Sequence, residues 1–396
     1  VSKEDMLSRY EQAQYLMQGI FSKKIVRNST VYPNWIERSD QFWYVRDLSE
    51  DKRQYRLVNA VKKTNQMAFD HQALAENISE ATGQDVNANN LPLAKLDLKV
   101  EPLILEFTAF DRHWRYSDAS KSLKEITRYS DEWRLSPDGK YAAYMKDYNI
   151  WLKDLTCGTE IALTTDGEEF NVYGAPESSW GEVWHSELQA SWSPDSKRLF
   201  TLQRDSRKVK TLPVVKHVPT DGSIRPTVEY TKVAYPDDEH IEVLELLTID
   251  VEQGNIQPAN YTSIPSTRNH SGFFNKRLGW WNKDCRTAYF IDMDRYQKLV
   301  KLVEFDTDTG STRVLFEENS ETHINLMLNS DMNPVFMALS ETDELLWYSD
   351  RSGWAQLYLY DLKTGELKNQ VTQGNWVVRE IVRYDAVRRE AFIQTS

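Results

Sequence analysis

Hydrophobic and polar positions along the chain follow two periods. Between Ser2 and Ile20 the apolar groups fall at Met6, Tyr10, Ala13, Leu16, Met17 and Ile20, the three-and-four spacing of one helical face. Ser2 reads as its N-cap, and Glu4 and Asp5 suit the positive end of the helix dipole. A second, weaker helix is expected from Phe69 to Thr82, starting near Asp70 and ending at Gly83. Almost everything else reads as strand.

The strand-like part repeats. Each unit opens on a turn of the Ser/Asn-x-Asp-Gly/Ser-Lys/Arg kind, runs through an apolar strand and a polar hairpin, and ends in a second strand closed by Asp and a Gly turn. The clearest copy is Leu135-Ser-Pro-Asp-Gly-Lys-Tyr-Ala-Ala-Tyr with Asn149-Ile-Trp-Leu-Lys-Asp-Leu-Thr-Cys-Gly158. Others begin at Trp192-Ser-Pro-Asp-Ser and at Trp281-Asn-Lys-Asp-Cys, and a fourth covers Glu344–Trp354 and Leu357–Gly365. A degenerate early copy covers Gln41–Asp47 and Tyr55–Val58, and a last one opens at Tyr384. In the turn, Pro fixes φ, Asp caps its own backbone and Gly accepts positive φ. A four-stranded sheet of this kind buries only one face alone, whereas a succession of such sheets buries both. The expected class is therefore all-β, a β-propeller with an N-terminal helix. At about 50 residues per blade the chain has room for seven blades, or seven and part of an eighth. The expected organisation is a helix and lead-in over residues 1–36 and a propeller domain over 37–396. The last copy stops inside a hairpin at Ser396 and the first residue is Val1, so the chain is expected to be a piece of a longer protein.

Composition narrows the function. Lys plus Arg number 48 against 60 Asp plus Glu, a net charge of −12 with no basic cluster, which argues against nucleic acid as a partner. No apolar run approaches the roughly 18 residues of a membrane helix. The excess is aromatic: 13 Trp, 20 Tyr and 14 Phe, bulky flat groups suited to packing between sheets. Cys157 and Cys285 form no CxxC pair and read as two small buried hydrophobes.

The search for chemistry is mostly negative. There is no Gly-x-Ser-x-Gly elbow, no phosphate loop and no His-Glu-x-x-His, so neither a hydrolase serine, a cofactor nor a metal site is expected. Asp306, Asp308 and Gly310 faintly resemble a calcium loop but fit a blade turn better. Two clusters carry both a functional and a bland reading. In Asp111-Arg-His-Trp-Arg-Tyr-Ser117 the aromatic residues can hold the guanidinium planes of Arg112 and Arg115 for a peptide carbonyl or carboxylate; the bland reading is a strand with solvated cations. In Tyr173-Gly-Ala-Pro-Glu-Ser-Ser-Trp-Gly-Glu-Val-Trp184, Glu177 and Glu182 can capture a substrate ammonium; the bland reading is an exposed loop with solubilising charges.

These residues, in order, resemble a family. Leu135–Leu155 with Thr164-Thr-Asp-Gly-Glu-Glu169, Trp192-Ser-Pro-Asp-Ser-Lys-Arg, Asp221–Pro226, Tyr235–His240, Leu346–Asp361 and Gln373–Val378 are similar to the N-terminal propeller of the dipeptidyl peptidase IV group of prolyl oligopeptidase-type serine peptidases. Ala68–Ala75 and Ala81-Thr-Gly83 resemble the bacterial branch. The resemblance implies an intact protein with eight blades, the last incomplete here, capping a C-terminal α/β-hydrolase domain that carries the catalytic Ser, Asp and His. None of those three catalytic residues is expected in this chain. It implies a substrate-gating propeller in which adjacent glutamates bind the free N-terminus of a peptide and an arginine binds a substrate carbonyl. Glu182 matches one glutamate by position, Gly181 stands in the other place, and Arg115 matches the arginine by context. The missing glutamate leaves dipeptide and tripeptide release both open. The N-terminal helix is expected to dock on the hydrolase domain, a second copy of the chain is a further candidate partner, and the compartment implied is periplasmic or extracellular. The competing reading is a stand-alone propeller that binds protein partners without catalysis.

Overall fold

The computed structural model describes residues 2–21, 26–36, 39–126, 132–175, 187–218, 224–266, 272–326 and 334–396. They form two compact units, Val1–Tyr129 and Ser130–Ser396.

The first unit opens with helix α1, Lys3–Phe21. Ser2 caps it as expected: its Oγ accepts the Asp5 amide at 3.0 Å while Asp5 Oδ2 accepts the Ser2 amide at 3.3 Å, a reciprocal capping box. Met6, Tyr10, Leu16, Met17 and Ile20 are exposed, so the apolar stripe has no partner among the described residues. Two antiparallel meanders follow. Sheet I holds Asn34–Trp35, Gln41–Ser49, Lys52–Asn59 and Thr64–Met67; sheet II holds Ala94–Val100, Leu103–Ala109, Arg112–Ser117 and Ser122–Glu125. Between them lies helix α2, His71–Thr82, whose N-cap Asp70 accepts the Ala73 amide at 3.1 Å and whose C-cap Gly83 sits at φ 71°. The left-handed value is why a glycine ends the helix there. Leu74 and Ile78 of α2 join Tyr55, Leu105, Phe107 and Tyr116 in one core.

The second unit repeats the meander. Sheet III is Arg134–Leu135, Tyr141–Lys146, Asn149–Asp154 and Glu160–Ala162. Sheet IV has a split inner strand (Asn171–Tyr173 and Ala190–Trp192), then Arg198–Asp205, Val243–Asp250 and a split outer strand (Ile256–Pro258 and Ile264–Pro265). A separate two-stranded ribbon, Thr211–Lys216 with Thr227–Lys232, leaves the middle of this sheet. Sheet V is Gly279–Trp281, Thr287–Met293, Leu299–Asp306 and Thr312–Asn319; sheet VI is Met337–Leu339, Glu344–Ser349, Gln356–Asp361 and Leu367–Gln370. The hairpin Val378–Asp385 with Glu390–Thr395 makes a two-stranded sheet VII.

The repeat turns are alike in atomic detail. Ser136 Oγ donates to Asp138 Oδ1 at 2.7 Å and accepts the Tyr141 amide at 3.0 Å; Ser193 does the same with Asp195 at 2.6 Å and Arg198 at 2.9 Å. The next position is left-handed in each copy: Gly139 at φ 72°, Ser196 at 64° and Cys285 at 59°. Four closing turns and the hairpin turn of sheet VII share one Asp device. Asp154, Asp250, Asp306, Asp361 and Asp385 each accept two backbone amides two and three residues on. Asp306 thereby serves a turn, and Asp308 pairs with Arg198 and Arg286; both carboxylates have structural employment. The cysteines correct the sequence reading. Cys157 is exposed in the Asp154–Gly158 turn, and Cys285, half-buried, stands where Gly139 stands in sheet III; both lie in turns and not in core strands.

Aromatic groups fill the spaces between successive sheets, as the composition implied. Phe200 of sheet IV meets the Trp281 ring edge-on at 6.0 Å, and Phe316 of sheet V stacks on Tyr360 of sheet VI at 4.1 Å. One continuous core runs through sheets IV, V and VI, including Phe290, Leu302, Phe305, Leu345 and Trp347. Among the described residues no helix is long and apolar enough to cross a membrane.

Candidate functional site

The candidate site is the stem from which residues 176–186 leave sheet IV. The split inner strand of that sheet creates the stem: Asn171–Tyr173 and Ala190–Trp192 both pair with Arg198–Asp205. The two ends are stapled, because the Gln189 amide donates to the Gly174 carbonyl at 2.8 Å and the Gly174 amide to the Leu202 carbonyl at 2.7 Å. Gly174 is required here. It sits at φ 64°, and a Cβ would come within 2.2 Å of Leu188 Cδ1. Gln189 is fully buried, and its Oε1 accepts the Phe274 amide at 3.2 Å.

A polar clamp then locks the returning end. Arg134, on the inner strand of sheet III, pairs through Nη1 with Glu187 Oε1 at 2.6 Å and donates from Nε to the Leu188 carbonyl at 2.9 Å. Its remaining nitrogen bonds Asn275 Oδ1, and Asn275 Nδ2 donates to Glu187 Oε2 at 2.9 Å. Three side chains from successive repeats therefore close a ring of charge-assisted hydrogen bonds, with the Arg fork satisfied in three directions. Burial pushes the Arg134 guanidinium down, and Glu187 beside it opposes that shift. A guanidinium remains a cation regardless.

The sequence-predicted residues fall in different places. Arg115 lies on sheet II of the first unit, where Nε and Nη2 hold Glu106 Oε1 at 2.9 and 2.8 Å and the side chain is 54% exposed. The aromatic cradle expected around it is not formed. Trp114 and Tyr116 are buried on the opposite face of the strand, and Arg112 reaches Glu125 at 3.6 Å; strand alternation puts odd and even neighbours on opposite sides. Glu177 and Glu182 lie outside the described residues. The clamp of Arg134, Glu187 and Asn275 was not found by sequence reasoning. Its one signal is an arginine just before a Leu-Ser-Pro-Asp turn, in the inner-strand slot that Ser191 fills before Trp-Ser-Pro-Asp. Among the described residues no group of His, Cys, Asp and Glu is arranged to hold a metal ion.

Comparison with known proteins places the chain. The family model for "Dipeptidyl peptidase IV (DPP IV) N-terminal region" matches residues 105–396. Among curated proteins the chain is 26% identical over 265 residues to "Probable dipeptidyl peptidase 4" of Emericella nidulans, covering 65% of this chain and 33% of that protein. It is 25% identical over 262 residues to the protein of the same name from Aspergillus flavus, covering 64% and 32%. Among solved structures it is similar to Porphyromonas gingivalis dipeptidyl peptidase 4, with a TM-score of 0.62 at 16% identity over 96% of this chain and 52% of that one. A second bacterial structure, from Bacteroides ovatus, gives a TM-score of 0.62 at 17% identity over 93% and 51%. The chain thus spans about a third of its curated relatives and about half of these structures. The structural likeness assigns the fold, a β-propeller preceded by a helix. With a match over residues 105–396, the chain belongs to the dipeptidyl peptidase IV N-terminal-region family, and the two solved structures named above are bacterial.

Proposed function

We propose that this chain is the substrate-gating and N-terminus-recognising propeller of a serine exopeptidase that releases short N-terminal peptides. In this reading residues 37–396 form one propeller domain and residues 1–36 a helix and lead-in. The catalytic Ser, Asp and His belong to an α/β-hydrolase domain of the intact protein, and the exposed stripe of α1 docks against that domain. Glu182, with Glu177, supplies the carboxylate for the substrate ammonium, and Arg115 a cation for a substrate carbonyl. The protein works in the periplasm or outside the cell. A homodimer is favoured by the ribbon of Thr211–Lys216 and Thr227–Lys232. Val215, Val228 and Tyr230 are exposed on it, and among the described residues its outer edges pair with no other strand, a surface that a second copy would cover.

The observation that carries the reading is the stapled and clamped stem. The backbone bonds of Gly174 and Gln189 hold the two ends together and Arg134, Glu187 and Asn275 lock the returning one, and recognition of a charged terminus needs its counter-charge on a rigid base. The test uses the intact protein and a proline-containing chromogenic peptide with a free or an acetylated N-terminus. The free peptide is expected to be cleaved far faster. Glu182→Gln and Arg115→Ala should each lower kcat/KM for it by about 1.5–3 kcal/mol, the worth of a charge-assisted contact. Equal cleavage of the two peptides would remove the N-terminus reading, and an unchanged kcat/KM in both variants would remove the assignment of those residues.

A further inference from the structure

The outer strand of sheet IV is broken at one point, and a cleft opens there. Ile256–Pro258 pairs with Leu247–Ile249, Ile264–Pro265 pairs with Val243–Leu244, and residues 259–263 bow out opposite Glu245 and Leu246. The cleft measures ≈ 260 Å³, below the usual range for drug-sized ligands and suited to something smaller. Register decides what lines it. Tyr173 lies directly opposite Gln203, and Gln203 directly opposite Glu245, so one face of three adjacent strands presents a phenol, a carboxamide and a carboxylate in a row. Tyr261 and Thr262 of the bow and Phe290 of sheet V also line it, and much of the remaining wall is apolar, from Leu244, Leu246 and Ile256.

The polar groups of this cleft divide into committed and uncommitted ones. The Tyr261 hydroxyl donates to Asp292 Oδ2 at 2.8 Å, and the Asp166 carboxylate lies near the Tyr173 hydroxyl. Both rings line the cleft, and a carboxylate stands near each hydroxyl. Burial, with Asp166 and then Glu245 adding to it, pushes the Tyr173 phenol up to about 12. The Gln203 carboxamide and the Thr262 hydroxyl make no hydrogen bond to another described residue. Glu245 is held only by the Ser263 hydroxyl at 3.4 Å, and among the described residues no Lys or Arg pairs with it. The carboxylate, with no described cation paired to it, disfavours an anion, while the amide oxygen and the hydroxyl can accept hydrogen bonds from a cation. They match an organic cation, which takes its charge partner from the carboxylate and its contact from the rings.

We propose that this cleft is a binding site for a small organic cation, an alkylammonium or guanidinium group, with Glu245 as its counter-charge and Gln203 and Thr262 as its hydrogen-bonding partners. The site stands apart from the peptidase reading and does not depend on it. Free diamines and basic side chains share this chemistry, so the probes separate them: cadaverine and agmatine for the free cation, Nα-acetyl-lysine amide for a side chain. Amide chemical shifts of the 396-residue chain are followed during each titration. Saturable shifts confined to the neighbourhood of residues 203, 245 and 262 are expected with at least one probe and none with glutarate or pentanol. Glu245→Gln, an exposed site where the fold is not at stake, should weaken that binding at least tenfold, and Glu252→Gln on the adjacent turn should leave it unchanged. Absence of any saturable shift up to about 50 mM ligand, well beyond a millimolar dissociation constant, would overturn the proposal, and so would equal binding to the Glu245→Gln chain. A response to the lysine amide alone assigns the site to a peptide or protein side chain, and a response to the diamines assigns it to a free cation.

Discussion

The Trp281 indole donates its Nε1–H to the Ser191 carbonyl at 2.9 Å, and one repeat earlier Trp192 donates to the Arg134 carbonyl at the same distance. Ser191 and Arg134 occupy the same slot, one residue before the turn-leading Trp192 and Leu135. The bond is therefore one device used twice, tying the inner strand of each sheet to the sheet before it. Trp281 is 8% exposed, so the carbonyl it satisfies has little water to fall back on. Trp281→Phe should lower stability by about 1–3 kcal/mol, from the lost bond and the smaller ring together. The measurement is the urea midpoint of the chain; a shift worth less than about 0.5 kcal/mol would mean that water replaces the indole without loss.

A second consequence concerns Glu344, which is 2% exposed on sheet VI. Lys368 Nζ meets its Oε1 at 2.6 Å, and Arg389 Nη2, from the turn of sheet VII, meets Oε2 at 2.9 Å. Burial pushes this carboxyl up, but hydrogen bonds from Lys368, Thr342 and Arg389 outweigh it and hold it below the ordinary glutamate value. The partners are unequal. Both cations are largely exposed and return to water when released, whereas the carboxylate cannot. Glu344→Gln should therefore cost about 1–2 kcal/mol, and the double change Lys368→Met with Arg389→Met about 3–5 kcal/mol, because it strands a buried charge. Thermal unfolding of the three proteins at neutral pH checks the order. A double variant no less stable than Glu344→Gln would show that the carboxylate takes up a proton or water instead.

The sheets were legible in the sequence because their punctuation is chemical. Ser-Pro-Asp-Gly and the Asp-x-x-x-Gly turn act within five residues, so the bonds of Ser136, Asp138, Asp154 and Asp361 were fixed by neighbours in the chain. The caps of α2 at Asp70 and Gly83 were readable for the same reason. The clamp of Arg134, Glu187 and Asn275 was not, since its members lie 53 and 141 residues apart from Arg134 (134 to 187 and to 275) and meet only once successive sheets are side by side. The cleft at Glu245 escaped for a related reason: the Asn, Thr, Ser and Pro residues of 258–265 mark a loop, but not the cleft that opens only where this loop interrupts the outer strand. The aromatic setting expected for Arg115 failed on a simpler point, that adjacent strand residues face opposite ways.

Acid should act on the first unit before the second, and His71 is the cause. Its Nε2 accepts the Tyr55 amide at 3.0 Å and its Nδ1 lies 3.0 Å from the Phe69 carbonyl, so the neutral ring with its proton on Nδ1 satisfies both. The residue is 6% exposed and stacked on Phe69 at 4.6 Å. Burial pulls its pKa below the ordinary histidine value, against smaller upward effects of the Phe69 carbonyl and Asp70. The unfolded chain thus takes up a proton near pH 6.5 while the native ring still refuses it, so the stabilisation is whole above that pH and is lost as pH falls toward the native value. The turn aspartates also lose stability on acidification, but later. Hydrogen bonds from Thr156, side chain and backbone, hold Asp154 down to about 2, so its share is lost only between about pH 4 and 2. His71→Gln keeps an acceptor for Tyr55 and cannot titrate. Its stability deficit against the natural chain should be largest near pH 7.5 and shrink toward pH 5, read from hydrogen exchange of the α2 amides. A deficit that stays constant over that range would mean that the His71 pKa is the same in the folded and unfolded chain, and the early acid lability of the first unit would then need another source.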